Sequence, residues 1–158
     1  MSSELKRRVE ADEFVLRDAN GSVRASLTMT VDGPGLFLYD QSRIIRAALL
    51  IGKDAPGLAL FDSLGRPRVS LGLAPDETPT LLLRDVKGIP QVAMIIEETG
   101  PRLILSDANP GPRVEFAAQS GEASLGFANL TGHFIQCRPS LYYRSAGNRK
   151  SKSRQRLI

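Results

Sequence analysis

The sequence predicts an all-β fold of about six tandem β-hairpins, and three observations carry that prediction. An apolar-x-apolar-x-Asp pentapeptide recurs along the chain, the segments after it alternate strictly between apolar and other residues, and Gly or Pro punctuates the chain about every 11 residues. The pentapeptide starts at positions 14, 36, 58, 81, 103 and 125, so the spacings are 22, 22, 23, 22 and 22 residues. It reads Phe14-Val-Leu-Arg-Asp18, Leu36-Phe-Leu-Tyr-Asp40, Leu58-Ala-Leu-Phe-Asp62, Leu81-Leu-Leu-Arg-Asp85 and Leu103-Ile-Leu-Ser-Asp107, and fades in Leu125-Gly-Phe-Ala-Asn129.

Each unit reads as strand, tight turn, strand, second turn. The Asp is followed by a turn segment such as Ala19-Asn20-Gly21 or Ser63-Leu64-Gly65. An Asp carboxylate folds onto nearby backbone N–H groups, and Gly supplies the positive φ such a turn needs, so Gly21 and Gly65 are expected at positive φ. A basic residue opens the returning strand at Arg24, Arg46, Arg68 and Arg113, with Gln91 as the exception. Apolar residues then alternate, as in Ala47, Leu49, Ile51 and Val69, Leu71, Leu73. A period of two marks a strand with one buried face, which places Leu49, Leu60, Leu71 and Leu83 in the expected core. Outgoing strands are apolar at their middle position too (Val15, Phe37, Ala59, Leu82, Ile104), so a second layer is expected over part of the other face, from this chain or another subunit.

Six hairpins supply about twelve strands. They fit a stacked or curled meander sheet or a β-solenoid-like array, with a β-prism or propeller-like closure as the alternatives. An open end leaves strand edges unpaired, so self-association is expected. The sixth unit, with Gln136 and Arg138 in core slots, reads as a cap. Three regions result: a short amino-terminal segment, 1–12, with Leu5 and Val9 spaced for a brief helix; the repeat domain, 13–137; and a basic tail, 138–158.

Charge divides along the same boundary. Residues 138–158 hold seven basic side chains and no acidic one, leaving 14 basic against 17 acidic residues before them, a net of −3. From about Arg144 to Arg156 the tail lacks apolar residues to pack and is expected to be disordered. Arg144, Arg149, Lys150, Lys152, Arg154 and Arg156 are its candidate contacts to nucleic acid or an anionic surface, through counterion release. The Arg24, Arg46, Arg68 and Arg113 row admits two readings: Asp–Arg pairs closing each turn, or a polyanion-binding edge.

Catalytic chemistry finds few candidates. Cys137 is the single cysteine, which excludes a disulfide framework and a Cys-based zinc site, and it reads as a small buried hydrophobe. His133 is the only histidine, four residues away in the degenerate unit. No Gly-rich phosphate loop with its lysine and no HExxH is present. The Asp ladder (Asp18, Asp40, Asp62, Asp85, Asp107) lacks the further oxygen ligands of a calcium loop, so no cofactor or metal is expected. The longest apolar run, Ala47 to Ile51, is too short to span a bilayer, and no signal peptide is recognisable; the expected location is the cytoplasm.

The repeat resembles the tandem LxLxDxxGxxR hairpin repeats of uncharacterised bacterial proteins over residues 13 to about 127, a family with no assigned activity. Asp32-Gly33 followed by Leu36-Phe-Leu-Tyr39 also resembles, once, the repeat of bulb-type mannose lectins, without the Gln and Asn of their sugar sites. The expected function is a non-catalytic structural or interaction protein that oligomerises or decorates a larger assembly. The alternative is a glycan- or polyanion-binding β module.

Overall fold

The computed structural model describes residues 8–53, 55–107, 112–128 and 134–137. Its strands are β1 (Glu13–Arg17), β2 (Val23–Thr30), β3 (Gly33–Tyr39), β4 (Ile45–Ile51), β5 (Pro56–Phe61), β6 (Pro67–Leu73), β7 (Pro79–Arg84), β8 (Pro90–Glu97), β9 (Gly100–Ser106), β10 (Pro112–Gln119), β11 (Glu122–Ala128) and β12 (Phe134–Cys137). They form one antiparallel sheet in chain order, from β1 to β12. Neither a prism nor a propeller is built: every strand pairs with its chain neighbours only, and β1 and β12 are left as two open edges. No helix is present among the described residues, and residues 8–11 of the amino-terminal segment carry no regular structure. The other residues of the brief helix expected there, including Leu5, lie outside the described residues.

The hairpins follow from their turn residues. In the first, Asp18 N–H donates to the Ser22 carbonyl at 3.0 Å and Gly21 N–H donates to the Asp18 carbonyl at 2.9 Å. That is a three-residue turn whose last residue must be left-handed, and Gly21, Gly65 and Gly88 stand there at φ 77°, 73° and 83°. Arg43 takes the same place in the second copy, at φ 62°. Each of these turns is matched by a one-residue register shift, between Leu16 and Arg17, Leu38 and Tyr39, Leu60 and Phe61, and Leu83 and Arg84. The shift is the bulge that lets an odd-numbered turn join strands without flipping their faces.

The turns at the opposite end are mostly two residues long, as between Thr30 and Gly33 or Glu97 and Gly100. One differs. Between β6 and β7, Ala74 N–H donates to Thr78 and Glu77 N–H donates to Ala74, a three-residue turn with Glu77 at φ 65°. Here lies the single 23-residue spacing. The extra residue stays in the turn, so Leu71 still pairs with Leu81 and the apolar face continues unbroken.

The described residues form no conventional core. Among the described residues only Ala48 (4% exposed) and Ser26 (5%) are buried apolar and polar side chains. Leu49, Leu60, Leu71 and Leu83 share one face as their spacing requires, but they are 49, 43, 53 and 37% exposed, which corrects their expected burial. The reason is geometric: alternation fixes which face a residue occupies, and among the described residues no element lies over that face. Cys137 pairs with Leu125 in the same row and is exposed rather than buried, for the same reason. The other face is better shielded because small residues sit beside large ones. Phe37 is the register partner of both Ser26 and Ala48.

Candidate functional site

Antiparallel pairing sets cross-strand partners on the same face, so the register defines rows running across the sheet. The central row runs Phe14, Leu27, Leu36, Leu49, Leu58, Leu71, Leu81, Met94, Leu103, Phe116, Leu125 and Cys137. Toward the Asp turns a second row alternates large and small: Leu38 beside Ala47, Leu60 beside Val69, Leu83 beside Val92, Leu105 beside Val114. Toward the other turns a third row does the same in opposite phase, with Met29 beside Pro34, Ile51 beside Pro56, Leu73 beside Pro79 and Ile96 beside Pro101. None of these positions is charged, and none carries a hydroxyl or amide. Most of their large side chains are exposed, Met29 the most among those named here at 68%. An uninterrupted apolar patch across twelve strands far exceeds what a lone soluble chain leaves to water.

The Asp turns build the second feature. Asp18 Oδ1 accepts from Asn20 N–H at 2.9 Å and Ser22 N–H at 3.0 Å, and the same pair of bonds recurs at Asp40, Asp62 and Asp85. The other carboxylate oxygen faces the basic residue that opens the returning strand. Arg24 lies 3.6 Å from Asp18, Arg46 3.3 Å from Asp40, Arg68 3.7 Å from Asp62 and Arg113 2.8 Å from Asp107, while Gln91 donates to Asp85. Arg46 and Arg68 also donate to the carbonyls of Phe61 and Arg84, which ties each hairpin to the next. The four arginines proposed from sequence as an anion-binding row are thus brought to one edge, each beside an acidic partner.

Three of these carboxylates, Asp40, Asp62 and Asp85, are more acidic than usual. Asp62 is lowered to about 2 by the Arg66 guanidinium, then by the backbone N–H groups of Arg66 and Leu64. Asp40 and Asp85 are lowered first by the N–H groups of Ile44 and Ile89. Sequence reasoning missed Arg66, which sits 2.8 Å from Asp62 inside the turn.

It also missed a polar cluster on the other face of β8–β10. Arg102 binds Glu115 at 3.0 Å and Glu97 at 2.8 Å, and Gln119 donates to Glu97. The two glutamates raise the Arg102 pKa, Glu115 more than Glu97. The signal was a charged residue in the middle slot of a strand whose neighbours are apolar there. The cluster satisfies itself and aims no unpaired acid, base or nucleophile outward.

Among the described residues no group of three His, Cys, Asp or Glu side chains is placed to hold a metal ion, and no helix is long and apolar enough to cross a membrane. The tail residues Arg144, Arg149, Lys150, Lys152, Arg154 and Arg156, with His133, lie outside the described residues. No protein-family model and no curated protein matches the sequence.

Proposed function

We propose that this protein is a non-catalytic interaction scaffold, a repeat sheet that oligomerises or decorates a larger assembly by covering its apolar face. One observation carries the reading: the face sets rows of Leu, Met and Phe side chains in register and leaves most of them open. Burying apolar area yields about 25 cal/mol per Å². A sheet that forgoes this on its whole apolar face lacks the main term that offsets chain entropy. A glycan- or polyanion-binding role draws less support, because each arginine of the row is already beside a carboxylate.

Methionine oxidation tests it directly. Met29 and Met94 lie on the face and are exposed in the single chain. In the purified full-length protein both should oxidise at least tenfold more slowly under hydroxyl-radical labelling than methionine in a free reference peptide. Rates equal to the peptide's, in protein with native circular dichroism, would mean the face is open in solution and the scaffold reading is wrong.

A further inference from the structure

We propose that the occupant of the apolar face is the same face of a second copy of this chain, giving a two-layer sandwich. The inference rests on the scaffold reading and names its partner.

Four features select a second copy. First, coverage is a condition of the fold rather than an event in its life: with Ala48 and Ser26 the only buried side chains of their kinds among the described residues, the sheet needs its cover whenever it is folded. A copy of the same chain is always at hand when the chain is made. Second, the area suits an obligate pair. Twelve strands spaced about 4.8 Å, each offering about five residues of about 3.4 Å, give a face of roughly 57 by 17 Å, on the order of 1,000 Å² per copy. The resulting total of about 2,000 Å² is enough for a stable specific interface and reaches the lower end of the obligate range.

Third, the relief of the face complements itself. Large residues stand on the odd strands in one flanking row (Leu38, Leu60) and on the even strands in the other (Ile51, Leu73). A twofold axis lying between the sheets along their hydrogen-bonding direction sets strand over like strand and one flanking row over the other. Leu then meets Pro, and Ile or Leu meets Ala or Val, with the sheets about 10 Å apart. Fourth, the face offers no charge or hydrogen-bonding side chain by which a different protein would be singled out. The open edges are weaker candidates. β1 and β12 are five and four residues long, and β1 begins and ends on the charged Glu13 and Arg17.

Analytical ultracentrifugation of the full-length protein at micromolar concentration tests the proposal, run at 0.15 M and 0.5 M salt to release anything held by charge. The expected mass is twice 17.2 kDa at both salts, with Met29 and Met94 protected. Leu71→Asp, on the face, should lose the dimer, either as monomer or as unfolded chain. Ser70→Asp, its neighbour on the other face beside Arg84, should keep it. The salts and the wild-type labelling do not depend on either variant folding. A monomer with protected methionines overturns the second copy while leaving the scaffold reading standing, since something else covers the face. A dimer with unprotected methionines overturns both the second copy on the face and the face-covering scaffold, and moves the contact to the strand edges. A monomer with open methionines overturns both readings.

Discussion

One backbone angle sets the second copy of the repeat apart from its neighbours. Gly21, Gly65 and Gly88 close their turns in the left-handed region at no steric cost, and Arg43 must adopt φ 62° in the same place. A side chain there costs about 1–2 kcal/mol, against a glycine entropy cost of about 0.5–1 kcal/mol. Arg43→Gly should therefore stabilise the protein by about 0.5–1 kcal/mol in chemical denaturation. The reverse experiment is Gly65→Val, for which a β-branched residue faces the same angle. Only Ile44 Cγ2 comes near the added Cβ, at an ordinary 3.7 Å, so the loss of about 2 kcal/mol is backbone strain rather than a clash. A destabilised Arg43→Gly would show that the arginine holds a contact worth more than the strain.

At the scale of the turn, the Asp carboxylate is what the hairpin cannot replace with an apolar residue, because two backbone N–H groups point at one oxygen. Asp62 also takes Arg66 and Arg68, and its folded pKa of about 2 lies below the unfolded value of about 3.9. A depressed acid contributes stability that is complete above its unfolded pKa and lost as pH falls through its folded one. The melting temperature should accordingly fall between about pH 4.5 and 2, with Asp40, Asp76 and Asp85 adding in the same direction. Asp62→Asn keeps an oxygen for the N–H groups but no longer titrates, so its melting curve should be flatter across that window. An identical slope would assign acid sensitivity to other groups. The hairpin was legible in the sequence at this scale because Asp, Gly and Arg each have one local job. The Arg102 cluster was not, since Glu97, Glu115 and Gln119 reach it across strand pairings that local spacing does not specify.

At the scale of the molecule, the period of two placed Leu49, Leu60, Leu71 and Leu83 on one face, and the inserted residue at Ala74–Thr78 was absorbed without a change of face. What alternation cannot say is what lies opposite, because nothing within one chain's pattern distinguishes a face covered by its own second layer from one covered by another chain. Stability measurements make that distinction. If two copies fold only together, mass action ties stability to concentration, and a hundredfold rise in protein shifts the equilibrium by about 2.7 kcal/mol. For an assembly of this size about 2 °C accompanies each kcal/mol, so the melting temperature should climb by roughly 5 °C between 1 and 100 μM. The same logic sets the cost of Leu71→Ala. At 53% exposure in a lone chain the change belongs with surface substitutions, within roughly 0.5 kcal/mol. Beneath a second sheet it opens a cavity in each copy and should cost about 2–5 kcal/mol per site. A melting temperature independent of concentration, together with a Leu71→Ala variant as stable as the parent, would leave the single open sheet as the folded state in solution.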